Sequence, residues 1–140
     1  MRAYVSVKRP LKGSAAAVWQ LVSSGREVER WFPWVAETVL GDAREGGSRV
    51  IRMHDGSSFD EYITLNDERT RTYQYYAPDP PLAAKHVIGT QRIEGTADGE
   101  CVTWSVTFDL APGAPQNLTQ TLRELYEGAL QRIDALAQTP

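Results

Sequence analysis

The sequence predicts an α+β domain in which a curved antiparallel sheet wraps around one long C-terminal helix. Apolar residues Leu118, Leu122, Leu125, Ala129, Ile133 and Leu136 recur at steps of three and four through residues 115–137, the spacing of a one-sided helix. Between residues 35 and 110 the chain instead alternates apolar and polar residues in short runs broken by turn signals, with no crossover helix between them. A chain of 140 residues, 41% hydrophobic and 24% charged, has the size and balance of one domain, residues 1–140, around a single core.

Residues 2–9 set Ala3, Val5 and Val7 against Tyr4, Ser6 and Lys8, a first strand that Pro10 ends. The period then changes. Ser14 is a helix N-cap for residues 15–23, where Ala15, Val18, Trp19 and Val22 share one side, and Gly25 stops the turn. A second short helix is expected at 26–32, closed by Pro33. The two hold Trp19, Trp31, Phe32 and Trp34 close together as an aromatic plug. Strands follow at 35–41, 48–54, 58–65, 70–77, 84–94 and 101–110, separated by turns such as Asp55-Gly56, Asp79-Pro80-Pro81 and Asp98-Gly99. With the first strand they make about seven, and the short turns require antiparallel neighbours. The last helix would run roughly 30 to 35 Å, so it needs a partner surface of that length, which an open sheet supplies. Pro115 suits its first turn, and Gly128 in mid-helix points to a strand or loop approaching there, or to room beside Tyr126 and Leu130.

Two-residue alternation assigns faces. Val102, Trp104, Val106, Phe108 and Leu110 point inward, as do Phe59, Glu61, Ile63 and Leu65, which puts one carboxylate on an apolar face. With the turn centred on Asp55-Gly56, position 51 lies opposite 61, and Arg49 is diagonal to Glu61 on the same face. This pair is either a buried structural ion pair or a polar anchor for a ligand. Tyr73 and Tyr75 share one face of their strand and are expected inside, with Gln74 and Tyr76 outside.

Composition excludes several classes of function. A net charge of −3 with scattered Arg and Lys offers no basic stripe for nucleic acid. The lone Cys101 rules out an internal disulfide and reads as an inert strand thiol. His54 beside a turn and His86 at a strand start have no ligand spacing for a metal, and neither a nucleophile motif nor a phosphate loop is present. No apolar run suits a membrane span or a signal segment, so a cytoplasmic protein without a cofactor is expected.

Val18-Trp19, Trp31-Phe32-Pro33, Gly47 and Arg49 before Asp55-Gly56, Glu61 and Asp67, Thr103-Trp104 with Phe108, and Tyr126 with Gly128 follow one another in an order that is similar to a known family. Over nearly its whole length the chain resembles the START-like or SRPBCC superfamily of helix-grip proteins, in particular small bacterial polyketide cyclase/dehydrase-like members. The resemblance implies a deep, largely apolar cavity between sheet and long helix, which across the superfamily holds lipids, sterols, polyketides, hormones and other aromatic molecules. Some such proteins are enzymes and many only bind. Arg49 and Glu61 match polar positions directed at that cavity, and Tyr126 matches a helix position bordering it. Where relatives often carry a tyrosine early in the sixth strand, this chain has His86-Val87.

The expected ligand-binding set is therefore Arg49, Glu61, Tyr73, Tyr75, Trp104, Phe108, Tyr126 and Leu130. Three functions compete: a carrier or sensor for a hydrophobic aromatic, polyketide-like or acyl molecule; a cyclase, dehydratase or aromatase acting on one; or a homodimeric interaction subunit with a filled interior. A lone buried Glu61 would suit proton transfer, whereas one held by Arg49 stays charged, and that conflict favours binding.

Overall fold

The computed structural model describes residues 2–138. Strand β1, Arg2–Pro10, leads into α1, Ala15–Ser23, where the Ser14 hydroxyl accepts the Ala17 N–H at 3.2 Å. Gly25, left-handed at φ +68°, ends that helix, because only glycine takes this conformation without a Cβ clash. The expected second helix at 26–32 shrinks to a single 3₁₀ turn, Val28–Arg30, entered through Glu27 at φ +54°. Between Gly25 and Pro33 there is too little chain to add hydrogen bonds beyond the costly first turn.

This stretch carries the chain from one edge of the sheet to the other. Strand β2, Val35–Leu40, forms the far edge, and β3 (Ser48–Met53), β4 (Ser58–Asp67), β5 (Thr72–Ala77), β6 (Ala84–Thr96) and β7 (Gly99–Leu110) return hairpin by hairpin. The result is a seven-stranded antiparallel sheet in the order β1-β7-β6-β5-β4-β3-β2. It curves around α2, Leu118–Ala137, whose Leu118, Leu122, Tyr126, Ala129, Leu130 and Ile133 are buried against it. Pro115 precedes this helix instead of entering its first turn, and its carbonyl accepts the Leu118 N–H at 3.1 Å. Among the described residues no helix is long and apolar enough to cross a membrane.

Two local features correct the expected register. The β3–β4 turn is centred on Asp55, with Gly56 at φ +89° and Met53 and Ser57 closing it, the geometry of a three-residue hairpin loop. Arg49 consequently lies directly opposite Glu61, and Ile51 opposite Phe59, so the ion pair is a cross-strand pair and not a diagonal one. A bulge between Ile63 and Leu65 then reverses the parity of β4. Leu65 pairs with Gln74 on the outer face, while Asn66 pairs with Tyr73 and turns inward to donate to the Ser23 and Ala43 carbonyls at 3.1 and 2.9 Å.

The close approach expected at Gly128 occurs elsewhere. A Cβ at Gly128 would meet only the tip of Arg132 at 3.4 Å, whereas one at Gly13 would press on Ala137 and Asp134 at 3.0 and 3.1 Å. There the β1–α1 loop packs onto the helix, and Asp134, fully buried, accepts the Gly13 N–H at 2.8 Å, the Lys12 N–H at 3.1 Å and Arg9 Nε at 3.0 Å. Cys101 is buried in β7.

Candidate functional site

Between the concave face of the sheet and α2 lies a cavity. Its floor is built by inward residues of the central strands, among them Arg49, Ile51, Glu61, Tyr75, Trp104 and Phe108, and its roof by Leu122 and Tyr126 of α2. Half-buried Phe32, Trp34, Met53, Phe59 and Leu82 surround its outer end, drawn from the segment before β2, the β3–β4 hairpin and the β5–β6 loop. Aromatic rings fill much of it. Trp104 and Tyr126 are 4.5 Å apart between centroids, and Phe32 sits 5.7 Å from Trp104 and 6.0 Å from Tyr126. The free space is about 70 Å³, less than half of the ~150 Å³ that admits a benzene ring.

All eight residues singled out in the sequence are buried, but they do not all line this space. Arg49, Glu61, Tyr75, Trp104, Phe108 and Tyr126 do; Tyr73 and Leu130 pack beyond it. Inward parity cannot separate a cavity wall from the filled core behind it. Phe32 and Trp34 were legible as part of an aromatic cluster, yet nothing local placed them at a cavity mouth. Gly89, an isolated glycine inside the predicted strand 84–94, was a signal of close approach that the sequence reading passed over, and nothing local named Tyr75 as its neighbour. His54 is exposed and donates through Nε2 to the Pro33 carbonyl at 3.0 Å, tying the hairpin tip to the segment before β2. His86 is also exposed, left-handed at φ +52°, with Nδ1 2.8 Å from Asp109.

The polar part of the wall is small. Arg49 Nε donates to Glu61 Oε1 at 2.8 Å, and Nη1 donates to the Gly25 carbonyl at 3.2 Å. The guanidinium also lies 5.5 and 5.6 Å from the ring centroids of Tyr73 and Tyr75, close enough for cation–π attraction. Burial works against the Arg49 charge, but the Glu61 carboxylate outweighs it and raises the Arg49 pKa. The Trp104 indole N–H donates to the Tyr75 hydroxyl at 3.1 Å. Burial pushes both Tyr75 and Tyr126 up from the usual phenol range, with Glu61 adding to each, so both remain protonated donors. The site thus combines an apolar box, one neutralised ion pair and two phenol hydroxyls, which is the equipment for holding an apolar molecule by a few polar groups.

A seven-stranded sheet gripping a long helix over an internal cavity defines a START-like, helix-grip protein. The profile of the family described as polyketide cyclase / dehydrase and lipid transport matches residues 2–138, and the chain belongs to that family. Among solved structures, an uncharacterised protein from Bacillus thuringiensis is 21% identical with a TM-score of 0.81, the match covering 96% of this chain and 98% of that one. The protein XoxI from Bacillus cereus is 23% identical with a TM-score of 0.80, over 96% and 94% of the two chains. Major latex-like protein 151 from Panax ginseng is 15% identical with a TM-score of 0.80, over 99% of each chain. These likenesses establish the fold. A comparison with curated proteins finds no significant match.

Proposed function

We propose that this protein binds a hydrophobic small molecule in the cavity between sheet and α2, acting as a cytoplasmic carrier or sensor. The observation that supports this reading most is the composition of the wall: aromatic and aliphatic side chains throughout, with Arg49, Glu61, Tyr75 and Tyr126 as its polar elements, and a half-buried apolar rim at one end. Burying about 300 Å² of apolar ligand surface at roughly 25 cal/mol per Å² yields some 7 kcal/mol before association costs, so micromolar affinity is the upper expectation. The neutral dye N-phenyl-1-naphthylamine should brighten on binding the native protein and be displaced by flat aromatic or acyl competitors. Brightening only on denaturation would mean that the aromatics serve as packing alone. Native mass spectrometry of protein from its own cells would name the ligand class directly.

Glu61 and Tyr126, facing the same space, also support a second reading as a cyclase or dehydratase, in which a tyrosine polarises a carbonyl and Glu61 accepts a proton. Glu61 is tied to Arg49 at 2.8 Å, an arrangement that suits holding a ligand better than exchanging protons. Turnover of a bound poly-β-ketone analogue would reverse that preference.

A further inference from the structure

One carboxylate oxygen of a cavity-lining residue takes no hydrogen bond among the described residues. Both close guanidinium contacts, from Nε and Nη2, fall on Glu61 Oε1 at 2.8 Å, while Nη1 turns away to the Gly25 carbonyl at 3.2 Å. Each nitrogen of Arg49 thus lies within reach of a protein acceptor, although Nη1 and Nη2 keep further N–H groups, and among the described residues no hydrogen bond reaches Glu61 Oε2. Across the space, the Tyr126 hydroxyl takes no hydrogen bond among the described residues either. Tyr75 accepts from Trp104 and keeps its own proton to give. Among the described residues the wall thus presents one anionic acceptor and two phenol donors, with the charge of its one cation, Arg49, already balanced by Glu61.

Building on the binding role proposed above, we infer that the cavity selects a neutral ligand that donates a hydrogen bond, a phenol or ring-bound alcohol, and rejects the carboxylate of the same ring. A phenol hydroxyl would donate to Glu61 Oε2 and accept from Tyr126, pairing two groups that take no hydrogen bond from the described residues. A ligand carboxylate would place a second negative charge beside Glu61 with no cation left to neutralise it, a repulsive element that excludes the wrong ligand.

The test is displacement of N-phenyl-1-naphthylamine from the full chain by 2-naphthol, by 2-fluoronaphthalene, which has the same shape without a donor, and by 2-naphthoate. Naphthol should bind at least tenfold more tightly than fluoronaphthalene, with naphthoate weakest. Because any apolar cavity disfavours a charge, the decisive comparison is Glu61→Gln, which removes the repulsion and frees Arg49. In that variant the naphthol-to-naphthoate preference should narrow by tenfold or more. Tyr126→Phe leaves the ion pair intact and provides a second measurement should Glu61→Gln fail to fold: naphthol affinity should drop several-fold more than fluoronaphthalene affinity. Equal binding of naphthol and fluoronaphthalene by the native protein, or an unchanged naphthol-to-naphthoate ratio in folded Glu61→Gln, overturns the selectivity and leaves the binding role standing. A dye that never binds the native protein overturns both.

Discussion

Gly89 stands directly across from Tyr75 in the β5–β6 ladder, and the tyrosine ring lies over it in the space a side chain at 89 would need. The missing Cβ is what lets Tyr75 lie flat enough for its hydroxyl to receive the Trp104 indole N–H. For an unobstructed strand position, Gly→Ala would stabilise by roughly 0.5–1 kcal/mol. Here Gly89→Ala should instead destabilise by about 1–3 kcal/mol, the usual cost of overpacking. It should also weaken dye binding, because the displaced ring has only the cavity to enter. Urea unfolding decides the sign, and a stabilised variant would show that the Tyr75 ring has room to yield.

Gly128 makes the opposite case. With only the flexible end of Arg132 near its missing Cβ, Gly128→Ala should recover helix propensity, raising stability by about 0.5–1 kcal/mol and leaving dye affinity unchanged. At Gly13 the same substitution presses on the Asp134 carbonyl and Ala137 and should lower the melting temperature. Thermal unfolding of the two variants side by side checks both; a loss at Gly128 equal to that at Gly13 would mean that a neighbour crowds α2 there.

The contrast between these glycines shows what local sequence can carry. Periodicity of two placed Trp104 and Phe108 inside and set Tyr73 with Tyr75 on one face without deciding which face was inner, and periodicity of three to four placed Tyr126 and Leu130 opposite them, because side-chain direction follows directly from strand and helix geometry. Register does not follow so simply. A three-residue loop at Asp55 and an extra residue near Thr64 each displace the pairing, which made Arg49 a diagonal neighbour of Glu61 on paper and turned Leu65 the wrong way. Contacts between distant segments, such as Gly13 with Asp134 or Gly89 with Tyr75, leave at most a glycine as their local trace and never name the partner.

Asp134 should give stability a distinctive acid dependence. Burial raises its pKa, but the N–H groups of Gly13 and Lys12 together with Arg9 outweigh burial and hold it below the usual carboxylate range. A carboxylate whose folded pKa is depressed contributes stability that is fully present above its unfolded value, near ~3.9, and is lost as pH falls through the folded value. Asp134→Asn should therefore cost roughly 2–4 kcal/mol at pH 7, and the gap from the native protein should close between about pH 5 and pH 2. Half-buried carboxylates held low, such as Asp42 and Asp109, titrate in both proteins and cancel in the difference. Denaturant unfolding across this range measures it, and a gap independent of pH would assign the loss to packing.

Phe32 packs over the aromatic wall of the cavity from its half-exposed side. Its ring leans on Trp104, Tyr126 and Trp34, with centroids 5.7, 6.0 and 6.4 Å away, and it is half-buried at the rim. With only about 70 Å³ free inside, a ring-sized ligand has to move side chains to enter, and a rim residue moves at lower cost than Trp104 in the packed floor. Phe32→Ala should raise both the association rate and the affinity of N-phenyl-1-naphthylamine several-fold, because the space it vacates joins the cavity. The stability loss should be about 1–3 kcal/mol, below that of a fully buried Phe→Ala change. Tyr62→Ala, on the outer face where Tyr62 is 45% exposed, should leave dye binding unaltered and serves as the control. Stopped-flow fluorescence separates the outcomes: slower association or weaker binding in Phe32→Ala would make Phe32 a wall that the ligand packs against, and the entrance would then have to lie between the hairpin tip and the β5–β6 loop.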